Sequence, residues 1–113
     1  MTKIFAGNLL TACPDATTRE VTALLAGGGG ARVERIVSHG QASPPGFWYD
    51  QDEAEFVAVI AGHARLRIDG EAEPRALAAG DWIVLPPHCR HRVEWTDPLV
   101  PTVWLAVFYA ATP

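Results

Sequence analysis

The chain has 113 residues, of which 49% are hydrophobic and 19% are charged, and its formal net charge is −4. This length and composition predict one globular domain over residues 1–113 and exclude a disordered tail, while the acidic balance argues against nucleic acid as a partner. Every apolar run is far shorter than the roughly 20 residues of a membrane-spanning helix, and the first residues lack a signal-peptide pattern. We therefore expect a cytoplasmic protein with no membrane partner, in which Cys13 and Cys89 are reduced.

The first 30 residues predict an N-terminal arm followed by a short helix. Residues 1–14 mix apolar and small polar side chains without a clear period. Thr17 and Glu20 then have the spacing of a capping box, and the glycines at 27–30 provide a stop signal followed by a linker. The apolar face of this predicted helix consists of Val21, Leu24 and Leu25.

From residue 31 onward the hydrophobic period changes to two, which predicts β-strands. The first strand starts at Ala31 and alternates through Ser38, before the glycines and prolines at 40–46 end it. Asp69 and Gly70 predict a type I′ hairpin turn. Short strands separated by Gly, Pro and Asp indicate an antiparallel sandwich or barrel. The other predicted strands are 55–60, 64–68, one ending near Leu77, 82–85, 89–95 and 102–109.

Two stretches of this strand-rich region resemble the two sequence motifs of the cupin superfamily, whose members are small jelly-roll barrels. In the first stretch, Glu55 is followed by six residues and then by Gly62. In the second, the sequence LAAGD at 77–81 precedes Pro86 and His91, which resembles the family's glycine-aspartate turn, proline and metal-binding histidine.

The resemblance covers about residues 31–109, which is most of the chain. It implies an all-β, cupin-like jelly-roll barrel of antiparallel strands, here with one short N-terminal helix within residues 1–30. Cupins commonly form homodimers, and the sheet edges and apolar outer positions of such a barrel need a cover. We therefore expect a homodimer. The outer apolar positions include Phe56, Ala58 and Ile60.

This chain departs from the family pattern just before the glutamate. The family usually carries two histidines, separated by one residue, with three residues between them and the glutamate. That spacing selects Tyr49 and Gln51 here, whereas one further residue back selects Trp48 and Asp50. The alternation of a strand favours Tyr49 and Gln51 inside the barrel, because this choice places more neutral groups there. Asp50 remains the alternative.

The resemblance therefore implies a polar site inside the barrel. The candidate catalytic residues are Glu55, His91 and Tyr49, and the candidate metal ligands are Gln51, Glu55 and His91. Such mixed nitrogen and oxygen ligands suit one weakly held divalent ion of iron, manganese, nickel or zinc. The alternative is a metal-free cluster in which Glu55 accepts hydrogen bonds from His91 and Tyr49. His88 either reaches a ligand at the barrel mouth or lies in a solvent-exposed turn.

The function that the resemblance implies is the binding of a small-molecule ligand. A divalent metal would act as a Lewis acid, or Glu55 and His91 would exchange protons directly with the ligand. Two alternatives remain open at this point, a non-catalytic module that binds or senses a small ligand and a metal-free structural barrel. The sequence does not decide whether the protein is an enzyme.

Overall fold

The computed structural model describes residues 2–111, which form eight β-strands and no helix. The expected all-β fold of antiparallel strands is confirmed. Within the described residues there is no helix long and apolar enough to cross a membrane. The strands are β1 (Val21–Gly28), β2 (Ala31–Ser38), β3 (Ala54–Ala61), β4 (His63–Ile68), β5 (Arg75–Ala78), β6 (Trp82–Leu85), β7 (His91–Thr96) and β8 (Thr102–Tyr109).

The strands form two antiparallel sheets that pack face to face as a jelly roll. One sheet has five strands in the order β1-β2-β8-β3-β6, and the other has three in the order β5-β4-β7. Alternate residues of β3, β4 and β8 are buried in the space between the sheets, where Val59 is fully buried. One buried cluster joins both sheets and encloses the interior: Val57, Val59, Ala64, Leu66, Leu77, Leu85, Trp104, Ala106 and Phe108.

The predicted N-terminal helix is wrong, because Val21–Gly28 is strand β1. This strand pairs with β2 along its length, from Val21 opposite Val37 to Gly28 opposite Ala31. Gly29 and Gly30 have φ values of +59° and +80°, as the central residues of a tight hairpin require. A helix of two or three turns is only marginally stable in water, so the ladder with β2 and its tight glycine turn prevail over the capping pattern.

The turn after β4 lies where the sequence predicts it, but its predicted type is wrong. A type I′ turn needs positive φ at both central residues. Here Gly70 has φ +90°, whereas Asp69 does not have positive φ. The Glu71 N–H donates to the Ile68 carbonyl at 3.1 Å, which closes the turn and starts the longer connection to β5.

Candidate functional site

A small cavity of about 70 Å³ lies between the two sheets. Pockets that enclose drug-sized ligands are typically about 300–1,000 Å³, so this cavity holds a molecule of only a few non-hydrogen atoms, or one end of a larger molecule. Its polar lining residues are Glu20, Tyr49, Gln51, Glu55 and His91. Its apolar lining residues are Ile36, Val57, Leu66, Leu85, Val93 and Trp104.

Glu55 and His91 face each other across the cavity from opposite sheets. Glu55 belongs to β3 and His91 to β7, and their side chains are buried, with residue exposures of 8% and 4%. The Glu55 Oε1 and His91 Nε2 atoms are 3.4 Å apart. A pair of ionisable groups this deeply buried is stable only if the two groups compensate each other's charge.

The contact of His91 Nδ1 with the backbone determines which ring nitrogen always carries a proton. Nδ1 is 2.8 Å from the Cys89 carbonyl oxygen, which can only accept a hydrogen bond, so Nδ1 carries a proton. Nε2 is then the nitrogen that gains or loses a proton toward Glu55. The contact is attractive when one proton lies between the two groups, either on the ring or on the carboxyl group.

Two opposing effects act on the pKa of His91. Burial is the largest effect and by itself lowers the pKa, because it disfavours the charged ring. The hydrogen bond to Glu55, the one to the Cys89 carbonyl and the negative charge of Glu55 all favour the charged ring, and together they raise the pKa above its usual value. The ring therefore keeps its second proton to a higher pH than an ordinary histidine.

Tyr49 and Gln51 complete one wall of the cavity. The Gln51 amide Nε2 donates to Glu55 Oε1 at 3.3 Å. The Tyr49 ring stacks on the His91 ring, with centroids 5.2 Å apart and planes inclined by 22°. Their backbones also pair, since the Tyr49 N–H donates to the His91 carbonyl at 2.7 Å and the His91 N–H to the Tyr49 carbonyl at 3.1 Å. The partners of the Glu55 carboxylate are therefore Gln51 and His91. The metal-free alternative predicted Tyr49 and His91 as its hydrogen-bond donors.

Asp50 and His88 lie outside the cavity and pair with each other. His88 Nδ1 is 2.8 Å from Asp50 Oδ1, and its Nε2 is 3.2 Å from Asp52 Oδ1. The hydrogen bond that the His88 ring donates to Asp50 is the main reason that the pKa of His88 is raised. The His88 N–H also donates to the Gln51 carbonyl at 2.8 Å. His88 therefore holds the loop that carries Gln51 and does not line the cavity itself.

Sequence reasoning missed Glu20, which lines the cavity from the segment just before β1. The Ser38 hydroxyl donates to Glu20 Oε2 at 2.7 Å, and the Trp104 indole N–H donates to the Ser38 oxygen at 3.1 Å. The sequence assigned Glu20 to a helix cap. The available signal was the pairing of β1 with β2, because Val21 opposite Val37 places Glu20 beside Ser38.

The site lacks a full set of metal ligands. Residues 2–111 contain no group of three or more His, Cys, Asp or Glu side chains placed to hold one metal ion. Gln51 presents its amide nitrogen to Glu55, and this nitrogen is a hydrogen-bond donor. Glu55 and His91 alone fall short of the three protein ligands of a typical catalytic zinc site. The candidate set of Gln51, Glu55 and His91 therefore does not fit a tightly held metal.

The fold and the site define a small jelly-roll barrel with a polar centre inside. Residues 33–108 match the family model described as the cupin domain. The chain therefore belongs to the cupin family, as the two sequence motifs predict.

Solved structures give the same fold. A candidate mannose-6-phosphate isomerase from Ralstonia eutropha JMP134 is 47% identical with a TM-score of 0.93, and the match covers 96% of this chain and 100% of that one. A Cupin 2 conserved barrel domain protein from Salinispora arenicola CNS-205 is 23% identical with a TM-score of 0.69, covering 97% and 92%. A cupin superfamily protein from Desulfitobacterium hafniense DCB-2 is 12% identical with a TM-score of 0.72, covering 88% and 84%. No functionally curated protein matches the chain.

Proposed function

We propose that this cupin binds a small polar molecule in the cavity and that Glu55 and His91 act on it as a coupled pair for proton transfer. The observation that carries the proposal is the 3.4 Å approach of the two buried ionisable groups inside a cavity. Both groups line the space that a ligand would occupy. Perturbed ionisable groups in a cavity are typical of sites that bind or transform small molecules.

The geometry gives each member of the pair a role in moving a proton. The Cys89 carbonyl holds the Nδ1–H of His91, so Nε2 donates to a ligand atom when the ring is charged. The Glu55 carboxylate then accepts a proton from a neighbouring ligand atom, and the two roles reverse when the proton returns. General acid–base catalysis of this kind contributes about 10²–10⁴-fold to a rate. Tyr49 covers one face of the His91 ring and orients it.

The name of the Ralstonia relative suggests a sugar phosphate as one ligand to consider. An isomerase moves protons between neighbouring atoms, which suits a pair of this kind. However, a hexose phosphate is too large for a cavity of about 70 Å³. Its phosphate would have to lie in the adjacent outer vestibule, where Arg19 is the basic lining residue. We therefore propose proton transfer on a smaller molecule.

A ligand screen tests the proposal directly. Small polar molecules that enter the cavity should raise the melting temperature of the wild-type protein, and Glu55→Gln should reduce that effect. Glu73→Gln, at an exposed position outside the cavity, is the control for the loss of one negative charge. Conversion of a bound molecule by the wild type supports proton-transfer chemistry. Binding without conversion supports the non-catalytic alternative, and no binding contradicts the proposal.

The two-donor site also predicts the metal content of the protein. Elemental analysis of untagged protein, expressed with iron, manganese, nickel and zinc, should find less than one equivalent of any of them. In residues 2–111 no third His, Cys, Asp or Glu side chain is placed to hold an ion together with Glu55 and His91. A stoichiometric metal that is lost in both Glu55→Ala and His91→Ala would contradict this prediction. Such a result would instead support Lewis-acid chemistry at the same two residues.

We also propose that the chain forms a homodimer through the outer face of the five-stranded sheet. Strand β6 is an edge of this sheet and has no neighbour on its free side within residues 2–111. On the outer face Trp82 stacks on Phe56, with centroids 5.6 Å apart, and yet remains 63% exposed. Exposed apolar residues beside an unpaired strand edge favour a cover by a second copy.

We also propose that the protein is cytoplasmic, and the state of its two cysteines supports this location. Cys13 and Cys89 are both free thiols. Burial, followed by the charge of Glu71, raises the pKa of the Cys89 thiol, which keeps it in its less reactive protonated form. Free thiols suit a reducing compartment.

A further inference from the structure

We infer that Glu20 sets the charge preference of the cavity, so that the site takes a small organic cation in preference to an anion of similar size. The chemical class that fits is an alkylammonium group, either as the whole ligand or as one end of it. This inference deepens the proposed function and rests on ligand binding in the same cavity.

The position of Glu20 is fixed by a chain of hydrogen bonds from the core. Trp104 is 4% exposed and donates its indole N–H to Ser38, which is fully buried. The Ser38 hydroxyl is thereby oriented to donate to Glu20 Oε2 at 2.7 Å. One carboxylate oxygen of Glu20 is held in this way, and the side chain lines the cavity. Because its anchors are buried, the negative charge is fixed at the cavity mouth.

The charges around the cavity are predominantly negative. The lining residues include two carboxylates, Glu20 and Glu55, and one ring that can become positive, His91. No Lys or Arg is among the lining residues in the described part of the chain. Even with a fully charged His91 ring, the two carboxylates leave one uncompensated negative charge. Glu55 is buried, so little water screens its charge, whereas Glu20 is exposed and acts on a ligand from the mouth of the cavity.

Tyr49 lies in the same negative surroundings, and its pKa is raised. Burial raises the pKa of the phenol first, and the charges of Glu20 and then Glu55 raise it further. A negative field that resists the ionisation of a phenol also resists the entry of an anion and favours a cation.

The remaining walls also suit an alkylammonium group. The rings of Tyr49 and Trp104 line the cavity together with aliphatic side chains of both sheets. A cation near the face of an aromatic ring gains about 0.5–2 kcal/mol, and its alkyl carbons bury apolar surface against the aliphatic walls. The outer vestibule is less selective, because Arg19 and Glu20 both line it. Selection by charge therefore occurs at the mouth, where Glu20 lines both the vestibule and the cavity.

The test compares three small probes of similar size that differ in charge, together with mannose 6-phosphate, whose phosphate would have to lie in the outer vestibule. Tetramethylammonium, tert-butanol, inorganic phosphate and mannose 6-phosphate are titrated into ¹⁵N-labelled wild-type protein, and the amide shifts of Tyr49, Gln51 and His91 report binding in the cavity. The same titrations are made with Glu20→Gln, which keeps an oxygen to accept from Ser38. The control is Glu73→Gln, which changes the net charge equally at an exposed site away from the cavity.

The wild type should bind tetramethylammonium more tightly than tert-butanol and either phosphate. Glu20→Gln should weaken the binding of tetramethylammonium about two- to fivefold, with little effect on the binding of tert-butanol, whereas Glu73→Gln should change neither. Tighter binding of either phosphate, or an unchanged preference in Glu20→Gln, overturns the inference and leaves the proposed function standing. If no molecule binds in either this titration or the ligand screen, both the inference about Glu20 and the proposed function are contradicted.

Discussion

At the scale of single residues, Ser38 connects the core to the cavity. It is fully buried, accepts from the Trp104 indole N–H and donates to Glu20. Ser38→Ala leaves a buried indole N–H without a partner, which costs about 1–3 kcal/mol. Urea denaturation should show this loss of stability.

A double-mutant cycle separates the hydrogen bond from the effect of removing the hydroxyl group. In a Trp104→Phe background there is no indole N–H to satisfy, so Ser38→Ala should cost less there than in the wild type. An equal loss in both backgrounds would contradict the role assigned to the bond between Trp104 and Ser38.

Sequence reasoning anticipated part of this site. The motif spacing selects Glu55 and His91, and strand alternation selects Tyr49 and Gln51, and the structure places all four around one cavity. Asp50 instead points to His88, as the alternation of inward and outward positions requires. Glu20 was missed because its position follows from the hairpin pairing of β1 with β2, whereas the residues around it resemble a helix cap.

At the scale of elements, the turn between β3 and β4 depends on a glycine. Gly62 has φ +88°, and a Cβ placed there would lie 2.5 Å from the Pro101 carbonyl oxygen and 2.6 Å from the Thr102 Cα. Gly62→Ala should therefore lose at least about 3 kcal/mol of stability, because both the backbone conformation and the contact with a neighbouring segment are strained. Chemical denaturation measures the loss.

Gly70 provides the matched control for this prediction. Its φ is +90°, close to that of Gly62, but nothing lies within 4 Å of a Cβ built there. Gly70→Ala should cost only about 1–2 kcal/mol, which is the cost of the backbone conformation alone. Equal losses at the two positions would show that the close approach to Pro101 and Thr102 does not matter.

The elements also show where sequence patterns fail. Strands β2, β6 and β8 begin and end where the alternation of the sequence predicts. The segment from Val21 has both a strand-compatible alternation and a helix-compatible apolar face, and its first residues resemble a cap. In the structure this cap is absent. The Thr17 N–H donates a hydrogen bond to Asp15, and Glu20 accepts one from Ser38. Tertiary pairing decides between the two patterns.

At the scale of the whole molecule, the proposed homodimer is tested through Trp82. Sedimentation should show a dimer at micromolar concentration, and Trp82→Glu should convert it to a monomer, since a charge would then be buried in the interface. Leu99→Glu is the control, because Leu99 is 84% exposed and lies in the loop between β7 and β8. A monomeric wild type, or a Leu99 variant as disrupted as the Trp82 variant, would contradict the proposed interface.

The coupled pair also makes the stability of the molecule depend on pH. The pKa of His91 is raised in the folded protein, so the pair stabilises the fold fully below the unfolded-state pKa of about 6.5. This contribution is lost as the pH rises through the higher folded-state pKa. In Glu55→Gln the loss of stability over that range should be smaller, as thermal unfolding at a series of pH values would show.

The most direct test of the central claim is an NMR titration of the His91 ring in the wild type and in Glu55→Gln. Contact with Glu55 predicts a wild-type pKa above the usual value of about 6.5 and a clearly lower one in the variant. The pKa of His88, which is set mainly by Asp50, should stay the same in both proteins. A His91 pKa that is at or below the usual value, or unchanged by the substitution, would contradict a coupled pair inside the barrel.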